Sequence, residues 1–220
     1  MATVHYIGDS TVARNNIHSY PQTGMSQALS LYLKEAVTVR SYAKNGRSTK
    51  SFLDEGRFVA VEAAMEPGDF LFIQFGHNDE KDDPARHTDP DTTFQDNLRL
   101  FIRAARRKGA YPVLLTPIAR RLFDEQGNFR PGSHGAYPDA MRALAKAENV
   151  PLIDLTEMTE RFLAQFGDEP SKPLFMFPKD NTHLKPEGAV KMAGFVAEGL
   201  RQLGGIYVEL LAGTDEGAGI

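Results

Sequence analysis

Four short polar clusters in the sequence contain the residue types that acyl transfer needs. They are Gly8-Asp9-Ser10-Thr11, Asn45-Gly46, Gly76-His77-Asn78-Asp79 and Asp180-Asn181-Thr182-His183. A serine hydroxyl becomes a nucleophile when a base takes its proton, and a carboxylate can orient that base. Each cluster alone is compatible with an ordinary polar turn. The hypothesis of an acyl-transfer site therefore depends on the occurrence of all four.

Ser10 is the candidate nucleophile, with a helix-capping serine as the alternative. His183 is the candidate base, because a neutral imidazole can accept the serine proton and later return it to the leaving group. Asp180 lies three residues earlier, where its carboxylate can hold the imidazole in the required tautomer. The alternative for this pair is a surface turn with an ion pair.

Gly46 and Asn78 are candidate donors to a developing oxyanion. Glycine lets its backbone N–H approach a substrate without a side chain in the way, and the Asn78 amide can also donate. One such donor typically contributes about 10²–10³ in rate. The alternatives are a plain turn at Gly46 and a polar loop after a strand at Asn78.

The hydrophobic pattern alternates between strands and helices. Short apolar runs predict strands at 3–7, 37–43, 69–75, 111–116 and 151–155. Helical periodicity or helix-start signals predict helices at 25–33, 58–65, 94–105, 138–147, 156–166 and 186–203, with a long loop at 167–182. We expect an α/β fold, a three-layer α/β/α sandwich with a five-stranded parallel sheet in the flavodoxin-like order 2-1-3-4-5.

In such sheets ligands bind beyond the carboxyl ends of the strands, where three of the clusters lie. We expect one domain over residues 1–220, with a frayed tail from about residue 212. The apolar run 206–211 is either an interface or a last core segment. The oligomeric state stays open.

The composition is that of a globular protein, with 41% hydrophobic residues, 25% charged residues and a net charge of −4. No basic stripe occurs, so nucleic acid is not an expected partner. No apolar stretch approaches the roughly 18 residues of a membrane span, and no signal-peptide pattern precedes Gly8, so we expect a cytoplasmic protein with no membrane partner. The absence of cysteine excludes disulfides and thiolate metal ligands.

Competing motifs are incomplete. The G-x-S-x-G sequence of α/β-hydrolases does not occur. The segment 46–51 lacks the glycine before lysine that a phosphate-binding loop requires. We expect no cofactor and no metal.

The four clusters resemble the signature blocks of the SGNH, or GDSL-type, hydrolase superfamily, over about residues 3–203. The resemblance implies Ser10 as nucleophile, His183 as base and Asp180 as its partner. It also implies an oxyanion hole made by the N–H groups of Ser10 and Gly46 and by the Asn78 amide.

Three further segments resemble rhamnogalacturonan acetylesterases: 74–81, 133–138 and 120–125, which begins with the arginine pair Arg120-Arg121. That resemblance implies a serine esterase that removes acetyl groups from pectin-derived oligosaccharides through an acetyl-enzyme. One departure is Gly24-Met25-Ser26, where relatives often have Gly-Trp-Gly, and this chain has no tryptophan. The alternatives are another acetylated sugar or short-chain ester, and a non-catalytic carbohydrate-binding domain on the same scaffold.

Four residues are candidates for contact with the acetylated oligosaccharide. Without tryptophan, stacking on a sugar would depend on residues such as Tyr20 and Tyr137. His134 is placed to reach the substrate or to cap the next helix. Arg47 is a candidate cation for an acidic pectin fragment, with a solvated surface charge as the alternative.

Overall fold

A parallel sheet forms the centre of the computed structural model, which describes residues 2–213. Its strands are β1 (Thr3–Gly8), β2 (Thr38–Ser41), β3 (Phe70–Gln74), β4 (Tyr111–Leu115) and β5 (Leu152–Ile153). All neighbouring pairs are parallel, and their order is β2-β1-β3-β4-β5. The predicted five-stranded sheet and its order are confirmed.

Helices fill the connections between the strands. They are α1 (Met25–Ala28), α2 (Thr49–Asp54), α3 (Arg57–Ala64), α4 (Thr93–Arg107), α5 (Tyr137–Glu148), α6 (Leu155–Phe166), α7 (Asp168–Ser171), α8 (Pro186–Leu203) and α9 (Gly205–Val208). Short 3₁₀ turns occur at Ile17–Ser19, Leu29–Tyr32 and Lys172–Leu174.

Alternate residues of β3 belong to two separate hydrophobic clusters. Phe70 and Phe72 belong to the cluster that includes buried side chains of α1, α6 and α8. Leu71 and Ile73 belong to the cluster that includes those of α2, α3, α4 and α5. Because successive side chains of a strand point to opposite faces, helices cover both faces of the sheet. This arrangement is the predicted three-layer sandwich.

Three segments differ from the sequence prediction. The helix predicted over 25–33 is instead α1 followed by the 3₁₀ turn Leu29–Tyr32. The segment 167–182, predicted as one long loop, contains α7 and a 3₁₀ turn. The helix α2 was not predicted, although Ser48 marks its start: the Ser48 hydroxyl accepts a 3.1 Å hydrogen bond from Ser51 N–H. A serine that accepts from the N–H three residues later is a common helix N-cap.

The apolar run 206–211 ends in the core. Leu210 and Leu211 are buried, and Lys34 N–H donates a 2.9 Å hydrogen bond to the carbonyl oxygen of Leu210. Of the predicted frayed tail, Ala212 still donates to the carbonyl oxygen of Tyr32 at 3.1 Å, and residues 214–220 lie outside the described part of the chain.

The carboxyl ends of the strands place three of the polar clusters at one edge. Gly8 pairs with Gln74 at the ends of β1 and β3, and Tyr6 of β1 pairs with Ser41 at the end of β2. The chain turns out of the sheet directly after each of these ends. Within residues 2–213, none of the helices has the length and apolarity needed to cross a membrane.

Candidate active site

Ser10, His183 and Asp180 form a continuous hydrogen-bonded chain. His183 Nε2 lies 2.9 Å from Ser10 Oγ, and His183 Nδ1 lies 3.0 Å from Asp180 Oδ2. The side chains of His183 and Asp180 are each about one-third exposed, so the chain of groups is open to solvent. The structure therefore brings together the three residues that the sequence predicts as the nucleophile, the base and the carboxylate that orients the base.

The turn that carries Ser10 is held by Asp9. The carbonyl oxygen of Asp9 accepts from Ala13 N–H at 2.9 Å, and its Oδ1 accepts from the N–H and the hydroxyl of Thr11, both at 2.9 Å. Burial raises the pKa of Asp9, and the two bonds from Thr11 only partly oppose this. Asp9 therefore stabilises the turn and does not touch the hydroxyl of Ser10.

Asp180 organises its own loop as well as the imidazole. Its Oδ1 accepts from the N–H groups of Thr182 at 2.9 Å and His183 at 2.7 Å, while Oδ2 faces the ring of His183. Burial pushes the pKa of Asp180 up, but these hydrogen bonds and the charge of His183 outweigh it, so the pKa lies below its usual value. Asp180 is thus held as a carboxylate, the form that orients an imidazole.

Donors suited to an oxyanion hole lie beside the serine turn. Among residues 2–213, the backbone N–H groups of Ser10 and Gly46 have no protein acceptor. Asn78 Nδ2 donates one hydrogen to the carbonyl oxygen of Arg47 at 3.1 Å, which leaves its second amide hydrogen available. Lys44 N–H donates to the carbonyl oxygen of Gly8 at 3.0 Å, which joins the Gly46 loop to the serine turn.

Gly46 has a conformation that suits glycine. Its φ of +76° lies in the left-handed region, and a Cβ built there would meet no atom within 4 Å. The space beside its backbone is therefore open, and a larger residue would be strained by its backbone conformation and not by a clash.

Asp79 joins the Asn78 loop to the start of α2. Its Oδ1 accepts from Thr49 N–H at 2.9 Å and from the hydroxyls of Thr49 and Thr88, and its Oδ2 accepts from Gly76 N–H at 3.2 Å. Burial raises the pKa of Asp79 to about 7, although the hydrogen bonds from Thr49 and Thr88 act in the opposite direction. Asp79 therefore fixes the two loops that carry Asn78 and Gly46 with respect to each other.

Two of the predicted substrate residues are buried. Tyr137 is 6% exposed, and its hydroxyl donates to the carbonyl oxygens of Asp79 and Thr88. His134 is 2% exposed, with Nδ1 facing Glu80 at 2.9 Å and Nε2 facing the carbonyl oxygen of Ile118 at 2.8 Å. Their polar atoms are engaged inside the protein, so this placement does not support the predicted contacts with a sugar.

The other two predicted substrate residues lie at the surface near the site. Arg47 follows Gly46 but forms an ion pair with Glu55, with Nη2 and Oε1 3.1 Å apart. Tyr20 is 70% exposed, on a loop whose Thr23 N–H donates to the carbonyl oxygen of Leu184, next to His183. Tyr20 therefore remains available for stacking on a ligand, whereas Arg47 is engaged with Glu55, a carboxylate that it shares with Arg57.

Sequence reasoning gave no role to three charged residues behind the site. Arg120 contacts Thr182 and Glu80, and Arg121 contacts Asn181. The sequence signal for them is that Glu80 and the arginine pair lie in segments that resemble rhamnogalacturonan acetylesterases. Within the described part of the chain, no group of three or more His, Asp or Glu side chains is arranged to hold a metal ion.

The sequence of this chain matches a known protein family. Residues 6–190 match the GDSL-like Lipase/Acylhydrolase family, and this match covers most of the chain. The chain belongs to this family. The GDSL-like hydrolase is therefore a carboxylic ester hydrolase, and the predicted family and enzyme class are confirmed.

Two curated relatives from Bacillus subtilis (strain 168) are similar to this GDSL-like hydrolase over most of their length. Rhamnogalacturonan acetylesterase RhgT is 45% identical, over 91% of this chain and 90% of its own. A probable rhamnogalacturonan acetylesterase, YesY, is 41% identical, over 91% and 93%. The crystal structure of Bacillus subtilis YxiM superposes with a TM-score of 0.80 at 28% identity, over 92% of this chain and 56% of that longer protein.

Proposed function

We propose that this GDSL-like hydrolase is a serine esterase that removes acetyl groups from rhamnogalacturonan-derived oligosaccharides. The observation that carries the proposal is the chain of contacts from Ser10 Oγ to His183 Nε2, at 2.9 Å, and from His183 Nδ1 to Asp180 Oδ2, at 3.0 Å. Both distances are those of hydrogen bonds, so the hydroxyl, the imidazole and the carboxylate are arranged as in an activated serine nucleophile.

In the first step Ser10 Oγ attacks the acetyl carbonyl carbon while His183 Nε2 takes the hydroxyl proton. The carbonyl π electrons move onto oxygen, and the N–H groups of Ser10 and Gly46 and the amide of Asn78 stabilise this oxyanion. Asp180, held ionised, stabilises the imidazolium that forms.

In the second step the oxyanion collapses and the bond to the sugar oxygen breaks. His183 Nε2 returns its proton to that oxygen, and the sugar leaves with a free hydroxyl. Water then attacks the acetyl group on Ser10, with His183 again as base. Acetate and the free enzyme are released, so no cofactor is required for the atoms to balance.

The substrate part of the proposal is supported by relatives of high coverage. RhgT is named a rhamnogalacturonan acetylesterase and YesY a probable one, and they match nine-tenths of the chain at 45% and 41% identity. Tyr20 offers the exposed aromatic ring that stacking on a sugar requires, although the chain lacks tryptophan.

Acetate release from acetylated rhamnogalacturonan, acetylated xylan and butyrate esters tests the substrate. We expect the highest kcat/KM on rhamnogalacturonan. A higher value on xylan or butyrate would overturn the choice of substrate while leaving the chemistry intact.

Covalent labelling by a fluorophosphonate tests the chemistry separately. We expect the wild-type protein to be labelled and Ser10→Ala not to be labelled. A folded wild-type protein that binds acetylated oligosaccharide without labelling or turnover would instead be a carbohydrate-binding domain.

A further inference from the structure

Two consecutive arginines hold the loop 180–183, called the base loop here because it carries Asp180 and His183. Arg120 Nη1 donates to the Thr182 hydroxyl at 2.7 Å. Arg121 N–H donates to the carbonyl oxygen of Asn181 at 2.8 Å, and its Nη1 donates to Asn181 Oδ1 at 3.2 Å. The two middle residues of the base loop are therefore both fixed by the chain that follows β4.

Arg120 also contacts the loop that carries the oxyanion donor Asn78. Its Nη2 forms an ion pair with Glu80 and donates to the carbonyl oxygen of His77 at 3.3 Å. His77 and Glu80 stand one residue before and two residues after Asn78. One planar guanidinium thus bonds to the base loop through Nη1 and, through Nη2, to the loop 76–80, called the oxyanion loop here because it carries Asn78.

Glu80, the ion-pair partner of Arg120, is itself fixed by a second contact. Glu80 Oε2 faces His134 Nδ1 at 2.9 Å, and His134 Nε2 donates to the carbonyl oxygen of Ile118 at 2.8 Å. Burial alone would raise the pKa of Glu80. The hydrogen bonds and charges of His134 and Arg120 outweigh this effect, so the pKa lies below its usual value. The side chains of Glu80 and Arg120 are each 17% exposed, so this ion pair is shielded from solvent.

Arg121 has a different set of partners, all outside the oxyanion loop. Its side chain is 3% exposed, and its guanidinium donates to Ser171 Oγ at 2.9 Å and forms an ion pair with Asp168 in α7. It also lies 4.8 Å from the ring centroid of Phe177. Arg121 therefore anchors the base loop to α7, whereas Arg120 connects two parts of the catalytic site.

We propose that Arg120 is a positioning residue that sets the distance between the oxyanion donor Asn78 and the base His183. The inference rests on the proposed roles of these two residues, but not on the identity of the sugar. A guanidinium is suited to the task because its donors are fixed in one plane and can bond to two partners at once. A misplacement of about 1 Å at a reacting group can cost about 10²-fold in rate.

A double-mutant cycle of Arg120→Gln and Thr182→Val tests this inference. Turnover of an aryl acetate is measured per active serine, with the active fraction counted by fluorophosphonate labelling. We expect Arg120→Gln to lower kcat about 10- to 100-fold, with KM changed less than about threefold. Thr182→Val is expected to lower kcat less, and the double variant to be no slower than Arg120→Gln alone.

Two further variants separate positioning from a general loss of stability. Arg142→Gln is the matched control, because Arg142 forms ion pairs with Asp139 and Asp154 outside the site. Its turnover per active serine is expected to equal that of the wild-type protein. Arg120→Lys keeps the charge but cannot bond to both loops in the same fixed plane, so we expect its kcat to fall between the wild-type and Arg120→Gln values.

The inference would be overturned if the double variant lowered kcat by the product of the two single effects of Arg120→Gln and Thr182→Val. It would also be overturned if kcat per labelled serine were unchanged in Arg120→Gln. If Arg120→Gln does not fold, the cycle is run with Arg120→Lys and judged in the same way. Aryl acetate and fluorophosphonate report on the ester chemistry alone. Failure to deacetylate rhamnogalacturonan would therefore count against the proposed substrate and not against the role of Arg120.

Discussion

Asn78 Nδ2 donates a 3.1 Å hydrogen bond to the carbonyl oxygen of Arg47, and this contact joins the loop after β3 to the loop after β2. The same amide group carries the hydrogen proposed for the oxyanion. One hydrogen of Asn78 is thus structural and the other is free for the reaction.

Replacement of Asn78 by alanine should remove both functions. We expect kcat on an aryl acetate to fall about 10²- to 10³-fold, because one oxyanion donor is lost. Steady-state kinetics check this, and Asn128→Ala, at an exposed turn held by Asp124, is the matched control with unchanged kcat. A fall of less than about threefold in Asn78→Ala would remove Asn78 from the oxyanion hole.

Replacement of Asp180 by asparagine should impair the base without removing it. If the new amide keeps its carbonyl oxygen toward the N–H groups of Thr182 and His183, its NH₂ group faces His183 Nδ1 and favours the tautomer that carries the proton on Nε2. That tautomer cannot accept the Ser10 proton, so we expect kcat to fall by about 10⁴ in Asp180→Asn. Asp54→Asn, at an exposed ion pair with Lys50, is the control, and equal rates for both variants would contradict the role of Asp180.

The stability of the protein should depend on the ionisation of Asp79. Its pKa is about 7 in the folded protein against 3.8 for a free side chain, so the folded state favours the neutral carboxyl. The resulting contribution of Asp79 to the free energy of unfolding is complete below about pH 4. It is lost as the pH rises through about 7, by at most about 1.4 kcal/mol per pH unit. Urea unfolding between pH 4 and pH 8 measures the slope.

The control for this slope is Asp79→Asn, which cannot ionise. We expect it to be less stable overall, because its amide hydrogens would face Gly76 N–H, but to lose the pH dependence that Asp79 contributes. An identical slope in the variant and the wild-type protein would assign the pH dependence to other groups.

Tyr20 should affect the binding of sugars and not the chemistry. Because its ring is exposed on a loop bonded next to His183, we expect Tyr20→Ala to raise KM for acetylated oligosaccharides about 2- to 10-fold, the loss of one stacking contact. Its kcat/KM on an aryl acetate should be unchanged. Tyr111→Ala is the control, because Tyr111 is exposed at the amino end of β4, the opposite edge of the sheet. Equal KM values for both variants would remove Tyr20 from the binding surface.

The sequence predicts the reacting groups better than the groups that support them. Ser10 and Asn78 could be located because each directly follows an apolar strand, and strand ends of a parallel sheet meet at one edge. The contact of Arg120 with Thr182 joins residues 62 positions apart in two irregular loops, for which no periodic pattern exists. Tyr137 was predicted to stack on a sugar because the chain has no tryptophan, yet the residue is buried and its hydroxyl donates to a backbone acceptor inside the fold.

The hydrogen bond between Ser10 and His183 spans 173 positions of the chain. During synthesis the nucleophile emerges from the ribosome long before the base does. A nascent or prematurely terminated chain that stops ahead of residue 183 carries a serine with no partner to activate it, and it cannot hydrolyse esters by this route. Ester cleavage by these residues therefore requires that translation has passed the base loop.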